Sequence, residues 1–544
     1  MRLRVLTLIL GSAGFAVAAA CGGGDGGDNP DDGADGGPNG QDGALADGQI
    51  NGDGSITGDG ALADGAIADG GSDAADSGDA AEAGPVITYK HFDINHVLST
   101  GASDSVANGA SAFLTTTQPF TNISFDTGVI TGAGGGNGGA CSGSGCTMYQ
   151  TPAAFKPLVE GDKFLNFGVE TMSSGLGNQA SVFATDYFAK VGLPAVPHDV
   201  LVSLHGRSGN PYWCLRRQFG ADTTDNPDSY PCYFAKTSNF IAPFDEAMMQ
   251  VQSAKTLAAD LGKTYVVRGV TAIAGQGEAD TYEQNFTFLR STDGANRRIL
   301  NYTEALFDWQ LGYETQVKAI TAQTEPVPMF ISQFGTMTTP DTIIVQRQLD
   351  AHNTSNGKIV LVTPNYPFEH YIDCLHYTAH SQRRLGAYFA KAYHQVVVEG
   401  RKWEPTRPSS ITRAGATITV KYVVPVPPLV IDELRVSADG SQFPVPPVKG
   451  FIFRDSTMSA SITAVAVTAA DTVTITLSNA PTGANPVLRY AYESQIPAMR
   501  CPGPMSGARG NIRDSDTRVG YHTDENGSPY ELFNWSVAFQ LAVP

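Results

Sequence analysis

Charged side chains are scarce in this chain, and basic ones especially so. Only 16% of the 544 residues are charged, 35 Lys and Arg stand against 54 Asp and Glu, and the formal net charge is −19. Fifteen of the acidic residues lie at positions 22–85, where the sequence has no Lys or Arg. Without this segment and the two arginines at 2 and 4, the remainder carries −6. A mildly acidic body lacks the electrostatic footprint of nucleic-acid binding, so we expect no nucleic-acid partner.

Residues 22–85 also lack aromatic side chains and have few large apolar ones. A Gly, Asp and Ala composition of this kind cannot bury enough apolar surface to offset the entropy lost on ordering. The segment is therefore predicted to be a disordered linker, extended by its own charge. Calcium binding is the alternative, since Asp and Gly alternate around Asp53 and Asp59, but an EF-hand loop with its terminal Glu is missing.

Long apolar runs are confined to the first 21 residues, which have a basic start, an apolar stretch and small residues before Cys21. This order is typical of a secretory signal. The run AAAC predicts a lipoprotein-type signal peptide over 1–21 with lipidation at Cys21, and an ordinary cleaved signal is the alternative. We therefore expect a chain at the bacterial cell envelope, lipid-anchored in the outer membrane or periplasm, or outside the cell. No other run approaches the roughly 18 apolar residues of a membrane span, so we expect membrane contact through the lipid alone.

Cysteine is rare, with seven in the whole chain. Six remain after Cys21, and an even number in an exported chain favours disulfides. The simplest pairing joins cysteines in sequence order: Cys141 with Cys146, Cys214 with Cys232, and Cys374 with Cys501. A zinc site is the competing hypothesis, and it is disfavoured because the spacing lacks paired CxxC units.

From about residue 86, an apolar strand, a Gly-rich or Pro-rich turn and a helix-compatible run follow one another repeatedly. This alternation is typical of a parallel sheet. Strands are predicted at 95–100, 199–204, 265–274, 329–333 and 359–363, and helices at 246–261, 302–322 and 379–397. The predicted fold class is α/β, a flavodoxin-like three-layer α/β/α sandwich with a parallel sheet, over residues 86–403.

Beyond Trp403 the sequence changes to Pro-interrupted segments in which apolar and polar residues alternate, as at 416–423 and 472–478. Such alternation indicates half-buried antiparallel strands. A C-terminal β-sandwich-like module is therefore predicted over 404–544.

Chemically capable side chains follow the predicted strands. Ligands of a doubly wound sheet bind beyond the carboxyl ends of its strands, so functional residues are expected there. The successive turns contribute Ser103, then Gly206 and Gly209, then Gln276, Glu278 and Asp280, and finally Asp373 and His376. A hydroxyl nucleophile needs a base, the base needs an orienting acceptor, and an oxyanion needs aimed donors. This set supplies each of them, although any member alone could be a cap, a turn residue or a structural group.

The ordered set resembles the SGNH, or GDSL-like, hydrolase superfamily, and more narrowly its sialate O-acetylesterase-like carbohydrate esterase branch. The resemblance covers roughly residues 90–400. The first family block, G-x-S, is matched by Gly101, Ala102 and Ser103, and the glycine of the second by Gly206 or Gly209. The third block of that branch, QGExD, is matched by Gln276, Gly277, Glu278 and Asp280, and the final DxxH by Asp373 and His376.

The resemblance implies a serine esterase that needs no metal or organic cofactor. Ser103 would be the nucleophile, His376 the base and Asp373 its orienting acceptor. The oxyanion would meet the Ser103 N–H, the N–H of one of the two glycines, and a third donor. The chain departs from the family pattern at Ala102, where Gln is usual, and by lacking the Asn of the commoner third block. Gln276 is therefore assigned the third donor, while Glu278 and Asp280 have supporting roles.

The predicted partner is an acylated carbohydrate or another polar ester, with acetyl as the favoured acyl group. The loops after the strands are rich in Gly, Ser, Asn and Asp, which suits a hydroxyl-bearing substrate. Two alternatives stay open. One is a non-catalytic glycan-binding surface protein on a hydrolase-like fold, and the other is a lipid or aryl esterase, whose site would be lined by large apolar residues.

Overall fold

The computed structural model describes residues 89–130, 149–164, 167–194, 197–217, 241–281, 289–295, 297–335, 343–436, 448–492, 503–505 and 507–544. The predicted signal and linker lie outside these residues, as do Cys21, Cys141, Cys146, Cys232 and Cys501. Lipidation and the three disulfide pairings therefore stay predictions. Residues Glu82–Pro544 form one compact unit, and the domain boundary after residue 403 also stays a prediction.

A central seven-stranded sheet confirms the predicted α/β class. The strands up to residue 364 are β1 (Ile94–Gly101), β2 (Ile123–Phe125), β3 (Phe155–Pro157), β4 (Lys163–Phe164), β5 (Phe167–Gly168), β6 (Val200–Leu204), β7 (Tyr265–Ile273), β8 (Met329–Gln333) and β9 (Ile359–Pro364). The sheet order is β3-β2-β6-β1-β7-β8-β9, and all neighbours are parallel except β2 and the edge strand β3. The five predicted strands thus follow the flavodoxin-like order 2-1-3-4-5.

Helices cover both faces of this sheet. They are α1 (Met172–Lys190), α2 (Tyr212–Leu215), α3 (Pro243–Asp260), α4 (Gln276–Thr281), α5 (Tyr302–Thr321), α6 (Ile344–Thr354) and α7 (Ala379–Tyr393). Helix α1 packs on α7, while α5 packs on α3 and α6. The predicted helix 379–397 ends at Tyr393 and continues as a π-helical turn, His394–Val398. Within the residues that the structure describes, no helix is both long and apolar enough to cross a membrane.

Burial explains which elements the sequence reveals. Every residue of β1 and of β6 is buried, as expected for parallel strands covered on both faces. Strand β6 is a nearly continuous apolar run, whereas β1 also buries Asn95, His96, Ser99 and Thr100. Helix α1 was not predicted. Its first ten residues are all buried, so it has no polar stripe and no helical periodicity in that half.

The C-terminal region is all β, as predicted. Its strands are β10 (Arg407–Ala414), β11 (Thr417–Val423), β12 (Val430–Ile431), β13 (Phe451–Arg454), β14 (Ile462–Ala469), β15 (Thr472–Leu477), β16 (Val487–Tyr490), β17 (Ile512–Arg513), β18 (Val519–Thr523), β19 (Pro529–Glu531) and β20 (Phe539–Ala542). They form a four-stranded sheet β10-β11-β15-β14, a three-stranded sheet β13-β16-β20 and the pairs β12-β17 and β18-β19. Buried and less buried positions alternate along β11 and β15, as the sequence pattern requires.

The end of the chain packs back onto the α/β fold. Lys391 of α7 is fully buried and donates to Asn534 Oδ1 at 2.7 Å, while its ammonium lies 2.9 Å from the Asp516 carboxylate. Gln333 at the end of β8 donates to the Ala538 carbonyl at 2.8 Å. The last strands are therefore joined to the same elements that carry the candidate site.

Candidate active site

Ser103 begins a tight turn directly after β1. A 3-10 turn spans Ser103–Val106, and Ser105 Oγ fixes it by donating to the Ala102 carbonyl at 2.6 Å. Gly101 before it has φ +134°, and a Cβ there would lie 2.1 Å from the Ile273 carbonyl oxygen of β7. Only glycine fits this position, because both the backbone angle and the space exclude a side chain. The G-x-S block is thus the bend that lifts Ser103 off the end of the strand.

Asp373 and His376 form a hydrogen-bonded pair in the loop before α7. The imidazole Nδ1 lies 2.7 Å from Asp373 Oδ2. The other carboxylate oxygen, Oδ1, accepts the backbone N–H groups of Leu375 at 2.9 Å and His376 at 3.1 Å. Burial alone would raise the pKa of Asp373, but these hydrogen bonds outweigh it and hold the pKa below its usual value. The carboxylate is therefore ionised and orients the ring.

Three hydrogen bonds join the turn after β1 to the loop before α7 and to α7 itself. Asn108 Nδ2 lies 3.3 Å from His376 Nε2. Asp104 Oδ1 accepts the Tyr377 N–H at 3.1 Å, and the Asp104 carbonyl accepts from Gln382 Nε2 at 2.8 Å. Segments separated by almost three hundred positions therefore meet, whereas the sequence interpretation requires a closer approach, of the Ser103 hydroxyl to the His376 imidazole.

These contacts define the state of the imidazole. The Asn108 amide donates to Nε2, so the ring proton is on Nδ1 and is donated to Asp373. This is a neutral tautomer in which Nε2 is an acceptor and faces the segment that begins at Ser103. The structure does not place the Ser103 hydroxyl in hydrogen-bond contact with His376 or with any other described residue.

The structure separates the two glycines that the sequence left open. Gly206 is buried against the nucleophile turn, since a Cβ there would lie 1.9 Å from Ser105 Oγ and 2.8 Å from the Gly101 carbonyl oxygen. Gly209 lies in an exposed turn with φ +71°. Gly206 is thus next to Ser103 in space, whereas Gly209 serves the turn.

The third block lies at the end of β7, beside Ser103. Gln276 lines a small pocket together with Ala102 and Asp104, the two neighbours of Ser103 in sequence. Glu278 is buried and accepts the N–H of Tyr212 at the start of α2, which ties this loop to the loop after β6. Burial raises the pKa of Glu278 to about 7. The side chain of Asp280 lies outside the described residues.

Three polar residues at this site were missed by the sequence interpretation. Burial raises the pKa of Asp104 to about 7, although the nearby His376 and the Tyr377 N–H favour its ionised form. Asn108 contacts the imidazole, and Asn365 at the end of β9 lines the same small pocket as Gln276. Asp104 directly follows Ser103, and Asn365 directly follows the last strand of the sheet. These positions could have indicated both residues as members of the site. No local signal distinguishes Asn108.

Comparisons with known proteins give distant structural likenesses. No protein-family model matches the chain, and no curated protein matches its sequence. A carbohydrate acetylesterase from Xanthomonas citri is similar at 12% identity and a TM-score of 0.43, over 82% of this chain and 80% of that one. A protein from Arabidopsis thaliana is similar at 10% identity and a TM-score of 0.33, over 55% of this chain and 97% of that one. Because both TM-scores lie below 0.5, the chemistry assigned to this chain depends on its own residues.

Proposed function

We propose that this chain is a serine esterase, a carboxylic ester hydrolase that removes short acyl groups from carbohydrate or related polar esters. The observation that carries the proposal is the Asp373–His376 pair, in which Nε2 of the imidazole is a hydrogen-bond acceptor and faces Asn108, in the segment that begins at Ser103. A base in the correct tautomer beside a strand-end serine is the arrangement that nucleophilic acyl transfer needs.

In the proposed reaction, His376 exchanges its contact with Asn108 for one with the Ser103 hydroxyl when the ester binds. Catalytic hydrogen bonds are often long or unformed in substrate-free enzymes, so such an exchange is ordinary. Nε2 takes the Ser103 proton as Oγ attacks the ester carbonyl carbon, and Asp373 stabilises the imidazolium. The imidazolium then protonates the leaving alcohol. Water repeats the sequence on the acyl-serine, releases the acid and restores Ser103.

The tetrahedral oxyanion would be held by the backbone N–H groups of Ser103 and Gly206 and by the Gln276 amide. We assign the glycine donor to Gly206 because its backbone lies against the nucleophile turn, whereas Gly209 is exposed. Loss of one such donor costs about 100-fold to 1,000-fold in turnover.

The acyl group is proposed to be acetyl. The pocket beside Ser103, between Ala102, Gln276 and Asn365, has a volume of about 20 Å³. A cavity needs roughly 10 to 15 Å³ to hold one water molecule, so this pocket has room for a methyl group and little more. A long-chain lipid ester would need far more apolar space than this.

A pair of serine variants tests the nucleophile. Ser103→Ala should abolish p-nitrophenyl acetate hydrolysis and labelling by a fluorophosphonate. Ser105→Ala is the matched control, because this serine lies in the same turn but its hydroxyl is donated to the Ala102 carbonyl at 2.6 Å. It should retain labelling, and circular dichroism should show that both variants are folded.

The outcomes separate the candidate functions. Hydrolysis that persists in Ser103→Ala refutes the assigned nucleophile. Retention of glycans by the wild-type chain without fluorophosphonate labelling would instead support a non-catalytic glycan-binding protein. Hydrolysis of long-chain lipid esters faster than of acetylated sugars would support the lipid esterase.

We also propose that the chain acts outside the cytoplasm, anchored through lipid on Cys21. Radiolabelled palmitate should be incorporated by the full chain and lost in Cys21→Ala. Incorporation that survives the substitution would support an ordinary cleaved signal.

A further inference from the structure

A second, larger cavity lies beside the loop that carries the Asp373–His376 pair. Its volume is about 610 Å³, within the roughly 300 to 1,000 Å³ typical of ligand sites. One wall comes from the first turns of α7 and the segment 367–369, and the other from the hairpin β18-β19. The cavity exists because the C-terminal strands fold back onto the α/β fold.

Hydrogen bonds connect this cavity to the candidate catalytic loop. The Glu369 carbonyl accepts the N–H of Thr378 at 3.2 Å, and the His376 carbonyl accepts the N–H of Tyr371 at 2.6 Å. The cavity wall at Glu369 and the catalytic histidine therefore belong to one paired loop. His380, which also lines the cavity, is the second residue of α7 and follows His376 by four positions.

The basic groups of the lining are already engaged by the protein. Arg384 donates to the carbonyls of Pro367 at 3.2 Å and Glu531 at 3.1 Å. Arg435 pairs with the carboxylates of Glu531 and Asp432. The charge of Arg435 is thus paired, whereas Arg384 keeps its charge and donates to backbone carbonyls.

Two acidic groups of the lining remain available. The side chains of Glu369 and Glu525 are exposed, and neither makes a hydrogen bond or an ion pair with a described residue. With Asp524 and Glu531, the lining has four carboxylates against the two guanidiniums of Arg384 and Arg435. With His380 neutral, the net charge of the lining is about −2, which repels uronates and sialosides.

We infer that this cavity is a subsite for an uncharged oligosaccharide, whose hydroxyl groups donate to Glu369 and Glu525 and whose acylated residue reaches Ser103. The statement that the acylated residue reaches Ser103 rests on the proposed esterase function. The inference also assigns substrate binding to the hairpin β18-β19. Carboxylates that accept from neutral hydroxyls give strong hydrogen bonds without requiring a charged ligand.

The test uses Glu369→Gln/Glu525→Gln in the full chain. Both side chains are exposed, so the substitutions leave the fold intact, and Asp260→Asn at the exposed end of α3 is the control. With acetylated xylo-oligosaccharide, kcat/KM should fall at least about tenfold through KM, because a neutral amide oxygen accepts a hydroxyl hydrogen bond more weakly than a carboxylate does. The fall should be larger for this substrate than for p-nitrophenyl acetate, which has no sugar hydroxyl groups to donate to the two glutamates.

Direct binding separates the subsite from the esterase proposal. In calorimetry with the Ser103→Ala chain, xylohexaose or cellohexaose should bind, hexagalacturonate should not, and the double variant should lose binding. Equal hydrolysis of the acetylated xylo-oligosaccharide by the double variant and the wild type overturns the subsite. Binding of hexagalacturonate also overturns it, and so does failure of both neutral sugars to bind. Neutral-sugar binding that depends on the two glutamates, with no ester hydrolysis by the wild type, would support the subsite and refute the esterase.

Discussion

Asp373→Asn gives a demanding test of the proposed mechanism. The two carboxylate oxygens of Asp373 have separate tasks: Oδ1 accepts the backbone N–H groups of Leu375 and His376, and Oδ2 accepts from the imidazole Nδ1. An asparagine keeps the first oxygen and can preserve the loop. Its amide nitrogen cannot accept a proton from Nδ1, so the substitution removes the contact that fixes the tautomer.

The expected loss is about 1,000-fold to 10,000-fold in kcat, or roughly 4 to 5.5 kcal/mol of transition-state stabilisation. The upper value applies to triads whose aspartate is buried. The Asp373 side chain is 38% exposed, and water will partly replace the lost carboxylate, so the lower value is the better expectation. With the proton moved to Nε2, the ring can no longer accept from Ser103.

The assay is p-nitrophenyl acetate hydrolysis under saturating substrate, with thermal unfolding as the check on folding. Asp260→Asn is again the control, because Asp260 ends α3 shortly before β7 begins and so lies near the amino ends of the strands, whereas Ser103 follows the carboxyl end of β1. A loss below about tenfold in Asp373→Asn, with the control unchanged, would show that this carboxylate does not orient the base.

Three further predictions concern neighbouring residues. Gly206→Ala should lower kcat about 100-fold, because the new methyl group would clash with Ser105 Oγ. Adding Ser105→Ala should recover part of the loss. An unchanged kcat in the single variant would show that residue 206 does not lie close to Ser105. Asn108→Asp should place a carboxylate acceptor against His376 Nε2 and so favour the imidazolium. The acid limb of the pH–rate profile should therefore move to higher pH. An unmoved limb would mean that Asn108 does not contact His376 in solution. Burial raises the pKa of Glu278 from 4.5 to about 7. The contribution of the protonated side chain to the free energy of unfolding is therefore complete below pH 4.5 and is lost as the pH rises through 7. Glu278→Gln should therefore flatten the fall in the free energy of unfolding, measured by urea denaturation, between about pH 5 and 8 by up to about 3 kcal/mol, and an identical fall in both proteins would contradict this.

Local patterns in the sequence determined the parallel sheet. Strands buried on both faces are rich in apolar residues, and β6 and β9 are nearly continuous apolar runs. Strands β1 and β7 also contain buried polar residues, yet all five strands were predicted to within a residue or two. The same patterns placed the candidate residues at the carboxyl ends of these strands. The Asp373–His376 hydrogen bond could also be predicted from the sequence, because two residues three positions apart can form it within one turn.

Only the tertiary structure decided which polar groups meet at the site. Asn108 and His376 are separated by 268 positions, and no spacing rule relates them. The choice of Gly206 over Gly209 depends on its contact with Ser105, and the cavity beside α7 depends on a hairpin more than 120 residues further along the chain. Strand and turn preferences act between near neighbours, whereas these contacts arise when distant segments pack, so the sequence specified the elements and the packing specified the site.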